Sequence, residues 1–320
     1  MKNFKKIVFS ILILSYSGIS FAQQESLITI YKDQMNIVNP AFAGVNNESN
    51  LSVGYRKQWI GVNNAPESQM FVFGTSLGKN LGMGLSVTND KTFIEKQTFV
   101  GIDFSYKLKM DEQTDLYLGL KAGGSFYQVN TSGLNTFNGE GDPALISFSS
   151  FRPNIGIGAL LKKENFYMSL SFPKLLNTVR ANTETAQVYV ATNRSQMYFS
   201  GGYDYALGTQ SNMTLKPSFM FRYVKSAPVV IDYNLSLDFY KKVEIGILYR
   251  SSKTVGGIAK VAIIKDLFFG YAYEMPTRSD LSNRMNTHEF LLHYKKKKKS
   301  VKQLKKIKKI APQAPNTILL

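Results

Sequence analysis

In the stretch VIDYNLSLDF, residues 230–239, every second side chain from Ile231 to Phe239 is apolar. The side chains between them are Asp232, Asn234, Ser236 and Asp238. Successive side chains of a β-strand point to opposite faces, so this stretch predicts a strand with one apolar and one polar face. Such a strand suits a wall that has lipid on one side and water on the other.

Similar runs of about ten residues recur along the chain. Two clear examples are VGIDFSYKL, residues 100–108, and NFYMSLSF, residues 165–172. One run contains Pro217, which counts against a fully paired strand because proline has no amide hydrogen to donate. About 14 strands are predicted, starting near Leu51, Ser68, Leu81, Gln97, Asp115, Phe151, Asn165, Ser195, Met213, Val229, Val243, Thr254, Leu267 and Met285.

The links between these runs alternate in length. Short turns follow Leu77, Met110, Lys162, Tyr240 and Ile264, whereas long polar links cover residues 130–150 and 173–194. A water-soluble β-sandwich or propeller also alternates polar and apolar residues, but short turns on one rim and longer loops on the other favour a barrel. The predicted fold is all-β, a transmembrane antiparallel β-barrel of outer-membrane type.

The two ends of the chain differ from this pattern. Residues 1–22 place lysines ahead of a short apolar run and a small-x-small site, which predicts a signal peptide. Residues 23–50 form a periplasmic N-terminal segment, either a short helix under or inside the barrel or a linker. The barrel covers residues 51–294 and a lysine-rich periplasmic tail covers residues 295–320. An even number of strands returns the chain to the side on which it entered.

The net charge of +17 belongs largely to the tail. Ten lysines lie between Lys295 and Lys309 without any acidic residue. No aromatic residue interleaves them, and an exported chain does not ordinarily meet nucleic acid, so nucleic-acid binding is not expected. An anionic periplasmic surface or an acidic partner protein suits the tail better. The chain has no cysteine, so disulfides cannot stabilise it.

Residues for catalysis are scarce. His288 and His293 are the two histidines, and their odd spacing on one strand puts them on opposite faces. His293 is expected to be a solvated lumen residue. No catalytic residue, metal ligand set or cofactor site is predicted, and the chain is interpreted as non-enzymatic.

Charged residues of both signs fall on the predicted inner face of the barrel. Their mixture predicts either internal ion pairs or a wet pore. They are Asp103, Lys107, Lys121, Lys216, Arg222, Asp232, Asp238, Glu244, Arg250 and Lys260.

Two short motifs stand at the ends of the barrel. The first combines NPA-x-AG, R-x-QW-x-G and AP, carried by Asn39, Pro40, Ala41, Ala43, Gly44, Arg56, Gln58, Trp59, Gly61, Ala65 and Pro66. The second is His288-Glu289, followed by alternating apolar residues. Together they resemble the PorP/SprF family of type IX secretion system membrane proteins. The lysine tail departs from the family, whose members usually stop close to the last strand.

The resemblance implies an outer-membrane component of the secretion machinery. Its partners would be outer-membrane lipid, other secretion-machine proteins and secreted cargo such as gliding adhesins. The polar inner face alone fits a second hypothesis, a general or substrate-specific diffusion porin. An outer-membrane hydrolase is disfavoured by the two histidines.

The motif residues suggest roles that need no chemistry. Arg56 and Gln58 are expected on the inner face near a rim, where a guanidinium clamps loop carbonyls or a cargo carboxylate. Alternatively, these residues simply lock the first outer turn. Trp59 suits the aromatic girdle at the membrane interface.

Overall fold

The computed structural model describes most of the region between the two ends of the chain. The described residues are 27–78, 80–131, 147–180, 191–193, 195–208, 212–225, 227–277 and 285–297. The predicted signal peptide and nearly all of the lysine tail lie outside them.

The described part of the chain is built almost entirely of β-strands. In chain order they are β1 (Glu48–Lys57), β2 (Glu67–Gly78), β3 (Leu81–Thr92), β4 (Glu95–Lys109), β5 (Thr114–Val129), β6 (Phe148–Lys163), β7 (Phe166–Phe172), β8 (Thr178–Arg180), β9 (Ala191–Asn193), β10 (Gln196–Tyr203), β11 (Tyr205–Ala206), β12 (Met213–Val224), β13 (Val230–Phe239), β14 (Val243–Arg250), β15 (Thr254–Ile264), β16 (Leu267–Pro276) and β17 (Thr287–Lys297).

The strands close into an antiparallel barrel of 14 strands. Neighbours in sequence pair with each other, β10 bridges β7 and β12, and β1 closes the circle against β17. Strand β11 pairs with β12 beside β10, while β8 and β9 form a separate hairpin. Closure pairs the first strand with the last, as a wall in lipid requires, and the predicted fold class is confirmed.

All 14 predicted strand starts fall within three residues of the observed ones. The wall begins at Glu48 and ends at Lys297, three residues beyond each predicted boundary. Pro217 does lie in a paired strand, opposite Leu235 of β13. On its other side the ladder is interrupted between the pairs Gly202–Ser218 and Tyr205–Leu215. Proline is tolerated there because that ladder is already broken.

The predicted faces are also correct. Leu235 is 42% exposed on the outer surface, whereas its neighbour Ser236 is 2% exposed. Phe104 and Ser105 show the same contrast on β4. The outer surface is therefore apolar, as a wall in contact with hydrocarbon requires.

One rim, here called the turn rim, carries the short connections 79–80, 110–113, 164–165, 240–242 and 265–266. Tyr240 and Lys241 both have positive φ, 56° and 55°, which is the geometry of a tight hairpin turn. The opposite rim, the loop rim, carries the longer connections 58–66, 130–147, 173–195 and 277–286. It also carries the short connections 93–94, 225–229 and 251–253, and the turn rim carries the nine-residue connection 204–212. The prediction therefore holds for the three longest connections, which all lie at the loop rim.

Residues 27–47, the luminal segment, lie inside the barrel. They form four 3-10 turns, Tyr31–Asp33, Met35–Ile37, Pro40–Phe42 and Val45–Asn47, instead of one helix. Hydrogen bonds and ion pairs join the segment to strands all round the wall, through Ser52, Ser105, Lys121, Ala159, Ser171, Ser218, Lys260 and Glu289. The sequence left open whether this stretch lies under or inside the barrel or forms a linker, and the structure places residues 27–47 inside the barrel.

Candidate functional site

The NPA-x-AG motif forms the middle of the luminal segment. Asn39 caps the turn Pro40–Phe42, since its Oδ1 accepts a hydrogen bond from the Ala41 amide at 2.9 Å. Its Nδ2 donates to the carbonyl of Ala159 on the wall at 3.2 Å. Proline suits the first position of a turn because that position needs no amide donor. The motif therefore both shapes the segment and fastens it to β6.

The motif's small residues allow a close approach to the wall. Ala41 and Ala43 are fully buried. A Cβ atom on Gly119 of β5 would lie 2.2 Å from the Ala41 amide nitrogen, so only glycine fits there. Gly44 has φ of 70°, and a Cβ on it would lie 2.7 Å from backbone atoms of Thr75 and Ser76. Both features are explained by backbone packing and not by chemistry.

Arg56 is the centre of a buried cluster near the loop rim. Its guanidinium donates to Glu274 at 2.7 Å, to Glu289 at 2.9 Å and to the Thr29 hydroxyl at 2.7 Å. Glu289 also accepts the backbone amides of Thr29 at 2.8 Å and Ile30 at 2.9 Å. Arg56 thus binds carboxylates of the last two strands, and these bind the luminal segment. Loop carbonyls are not among the partners that the structure shows for Arg56.

The cluster continues through Arg250. Its guanidinium binds Glu274 at 3.1 Å and Asp232 at 2.7 Å and 3.1 Å. We call Arg56, Asp232, Arg250, Glu274 and Glu289 the arginine cluster. Charges this deeply buried are tolerated only when they are paired and hydrogen-bonded.

A second cluster holds Asp33 of the luminal segment. Its carboxylate lies 2.8 Å from Lys260 Nζ and 3.1 Å from His293 Nδ1. Burial favours a higher pKa for Asp33, but Lys260 and His293 outweigh it and hold the pKa well below its ordinary value of 3.8. His293 is buried and paired, so the expectation of a solvated residue was wrong. Sequence alone gave no sign of its partner on the segment.

Other inward charges are paired as well. Lys216 binds Asp238 at 2.5 Å and Glu244 at 3.2 Å. Lys121 Nζ lies 3.1 Å from the Asp103 carboxylate and donates to the backbone carbonyl of Asn36 in the luminal segment at 2.8 Å. The mixed charges of the inner face predicted either internal ion pairs or a wet pore, and these residues form internal ion pairs.

The remaining motif residues lie apart from the arginine cluster, in the loop that follows β1. The backbone N–H of Gln58 donates to the backbone carbonyl of Pro66 at 2.9 Å, and the backbone N–H of Ile60 donates to the backbone carbonyl of Asn286 at 3.1 Å. Trp59 and Gly61 have positive φ of 50° and 92°. The bond to Asn286 ties the first loop to the last loop, while Ala65 lies half-buried just ahead of β2.

His288 and Glu289 of the second motif lie on opposite faces of β17. Glu289 points inward into the arginine cluster. His288 lies half-buried on the outer surface, with Nδ1 2.9 Å from the Tyr271 hydroxyl and its ring 5.2 Å from that of Tyr273. The predicted opposition of His288 and His293 is confirmed.

Sequence reasoning missed Thr29, Asp33 and Glu274, and it singled out Glu289 without showing that this residue binds the luminal segment. Alternation identifies which charges point inward, but only the fold shows which of them meet. Within the described ranges, no group of three or more His, Asp or Glu side chains is arranged to hold a metal ion. In the same ranges, no helix has the length and apolar character to cross a membrane.

A closed barrel with an apolar outer face and a luminal segment defines an outer-membrane β-barrel protein. One solved structure with a TM-score above 0.5 shares the fold. CymD, a monoaromatic hydrocarbon channel, is 11% identical over 84% of this chain and 93% of its own, with a TM-score of 0.51. The Ralstonia pickettii toluene transporter TbuX is 10% identical over 81% of this chain and 92% of its own, with a TM-score of 0.46. Acinetobacter baumannii Omp33 is 10% identical over 79% of this chain and all of its own, also at 0.46.

The family model of the type IX secretion system membrane protein PorP/SprF matches residues 20–294. The chain belongs to this family, and the family predicted from the sequence is confirmed. No curated protein matches the chain significantly.

Proposed function

We propose that this barrel is a non-enzymatic component of the type IX secretion system that binds secreted cargo proteins and other proteins of the machinery. In this role it takes part in export or in surface attachment of the cargo, including gliding adhesins. Membership of the PorP/SprF family supports a role in the type IX secretion system. The luminal segment inside the barrel supports protein binding over diffusion of solutes through a channel.

The luminal segment inside the barrel is the observation that favours a binding protein over a porin. The polar groups that suggested a porin are taken up by the luminal segment or by one another. Asp33, Lys121 and Glu289 all bind the segment or belong to it. A diffusion porin requires a water-filled channel through the barrel, whereas a barrel whose inner charges hold a segment in place acts through its surfaces.

The orientation follows the general rule for outer-membrane barrels, in which short turns face the periplasm and long loops face outward. The turn rim then faces the periplasm, and β17 delivers the lysine tail there. In this orientation the tail meets an anionic surface or an acidic partner of the machinery, and the loop rim meets cargo.

Two measurements test the proposal. Affinity capture of the tagged barrel from its native membrane should recover a large surface protein together with its secretion signal. The purified barrel in planar bilayers should show no steady conductance. Steady large channels from the unmodified protein, without recovery of a surface protein, would support the porin instead.

A further inference from the structure

The luminal segment runs through the barrel in one direction, which its hydrogen bonds to the wall define. At its start, the backbone N–H groups of Thr29 and Ile30 donate to the Glu289 carboxylate at 2.8 Å and 2.9 Å. Glu289 is the third residue of β17, which begins at the loop rim after the connection 277–286. The segment therefore starts near the loop rim.

The middle of the segment lies about halfway down the wall. Ser52, in the middle of β1, donates from its hydroxyl to the backbone carbonyl of Asp33 at 2.8 Å. Lys121, in the middle of β5, donates to the backbone carbonyl of Asn36 at 2.8 Å. Between Thr29 and these residues the segment has thus moved from the loop rim towards the turn rim.

The end of the segment lies at the turn rim. Ser76, two residues before the turn-rim end of β2, donates from its hydroxyl to Asn47 Oδ1 at 3.3 Å. Strand β1 starts with the next residue, Glu48, which pairs with Lys297 at the turn-rim end of β17. The C-terminal end of the segment is therefore joined to the wall at the turn rim, and its N-terminal end lies at the other rim.

The first two residues of the segment, Leu27 and Ile28, lie at the loop-rim side as well. They line a cavity together with Ser68 and Val230. Ser68 is the second residue of β2 and Val230 is the first residue of β13, and both strands begin at the loop rim. The chain thus enters the lumen from the side of the long loops.

The residues ahead of Leu27 are too few to return to the turn rim. Cleavage after Ala22, which the small-x-small site predicts, leaves only residues 23–26 before Leu27. Four residues span at most about 14 Å. From Val230 to Phe239, β13 covers about 30 Å along the strand, which is about 23 Å of barrel height at the usual strand tilt. Even a fully extended start of the mature chain would stop short of the turn rim.

We infer that the luminal segment threads the barrel from the loop rim to the turn rim, and that the N-terminal end of the mature chain emerges at the loop rim as part of the surface that meets a secreted protein. The sequence predicts a periplasmic segment for residues 23–50, whereas this inference places its N-terminal end at the opposite rim. There it joins the first and last loops, which the hydrogen bond from Ile60 to Asn286 ties together. The contact with a secreted protein rests on the proposed function, but the position of the end rests only on the contacts within the barrel.

The absence of cysteine allows a direct test on intact cells. Gln24→Cys places a thiol in the N-terminal end. Asn63→Cys places one in the exposed first loop at the loop rim, and Glu112→Cys places one in the exposed turn 110–113 at the turn rim. Each strain is treated with a membrane-impermeant maleimide, and label is scored only in the folded, heat-resistant barrel. We expect Gln24→Cys to be labelled as strongly as Asn63→Cys, whereas Glu112→Cys should be labelled only after the cells are permeabilised.

Two results would overturn the position of the end. If Gln24→Cys reacts only under the conditions in which Glu112→Cys reacts, the N-terminal end lies at the turn rim. Glu25→Cys is a second reporter if Gln24→Cys interferes with signal cleavage. If both thiols stay unlabelled in folded barrels purified in detergent but react after heat denaturation, the end is enclosed in the lumen.

The contribution of the end to the binding surface has its own readout. A polyethylene glycol chain attached through the maleimide at Gln24→Cys should reduce capture of the surface protein, because it covers the loop rim. The same chain attached at Glu112→Cys, in permeabilised cells, should leave capture unchanged. Equal capture by the two modified barrels would overturn the contribution of the N-terminal end to that surface.

These outcomes are separable from those for the proposed function, because the three thiols report their positions relative to one another. If Glu112→Cys is labelled on intact cells while Gln24→Cys and Asn63→Cys are not, the threading stands and cargo binding at an outward loop rim fails. If a surface protein is captured but Gln24→Cys is labelled only together with Glu112→Cys, the proposed function stands and this inference fails.

Discussion

At the scale of single residues, Arg56 joins the first strand, the last two strands and the luminal segment. Replacing it by methionine removes both ion pairs and leaves Glu274 and Glu289 buried beside fewer cations. Breaking a buried pair by removing one partner typically costs about 3–5 kcal/mol, because the other charge is left uncompensated. We therefore expect Arg56→Met to lower the free energy of unfolding by several kcal/mol in urea titrations of the barrel in lipid vesicles.

Lys57 supplies a matched control for Arg56. It is the next residue of β1, carries the same charge and is exposed on the outer side. Lys57→Met should change stability little. Equal effects of the two substitutions would show that the arginine cluster contributes nothing beyond general surface charge.

Asp33 makes the stability of the folded barrel depend on pH. Its pKa in the folded protein is held below the ordinary value of 3.8, so the charged carboxylate stabilises the folded state at pH values above 3.8. That contribution is lost as the pH falls from 3.8 through the folded pKa. Asp33→Asn should be less stable than the unmodified barrel at pH 7, and the difference should shrink as the pH falls below 3.8. Unfolding titrations at several pH values measure it.

Glu112, exposed in the turn 110–113, provides the control. Glu112→Gln should leave the pH profile of the unmodified protein in place. A difference between Asp33→Asn and the unmodified barrel that stays constant down to the lowest pH would contradict the pairing of Asp33 with Lys260 and His293.

At the scale of elements, strands were predictable and the luminal segment was not. Alternation over about ten residues identifies a strand and its faces, as Phe104 and Ser105 illustrate. The segment consists of three-residue turns that show no sustained period, and tertiary bonds hold them in place. Arg56 was correctly placed on the inner face, but its partner Glu289 is 233 residues away along the chain. No local pattern reports such a pair.

The segment can be displaced from the wall by a single side chain. A Cβ atom on Gly119 would meet the Ala41 backbone at 2.2 Å, which neither strand nor segment can absorb without moving. Overpacking of this kind typically costs about 1–3 kcal/mol. We expect Gly119→Val to loosen the segment and to produce conductance events in planar bilayers where the unmodified barrel shows none.

Gly257 is the corresponding control, because a Cβ atom there would meet nothing within 4 Å. Gly257→Val should remain as closed and as stable as the unmodified barrel. Silent bilayers with Gly119→Val would mean that loosening the segment at Ala41 does not open the lumen.

At the scale of the whole molecule, the two ends of the barrel carry different structural features. The loop rim gathers the arginine cluster and the linked first and last loops. The turn rim gathers short hairpins and the start of the lysine tail. A protein that binds different partners on the two sides of a membrane needs such a division, because the wall between its rims faces only lipid.

The tail should be dispensable for folding only beyond Lys297. Strand β17 continues past Tyr294, where Lys295, Lys296 and Lys297 pair with the first three residues of β1, and Lys295 Nζ lies 2.9 Å from Glu48. A chain ending at Lys297 keeps these pairs and should give a heat-resistant barrel in the outer membrane. A chain ending at Tyr294 loses them at the seam that closes the barrel, and should unfold at lower temperature in electrophoresis of heated samples. If the two chains unfold at the same temperature, the pairing of β1 with β17 does not require Lys295, Lys296 or Lys297.

The chain ending at Lys297 also isolates what the rest of the tail contributes. If the tail docks on an anionic surface or an acidic partner, its binding should weaken as salt rises, because the Debye length falls from about 10 Å at 0.1 M to about 3 Å at 1 M. Capture of partners should then depend on salt for the full chain and much less for the truncated one. In the proposed orientation, a cysteine placed in the tail should stay unlabelled by an impermeant thiol reagent on intact cells. Labelling of that cysteine would require an inverted barrel, since the 14 strands return the chain to its starting side.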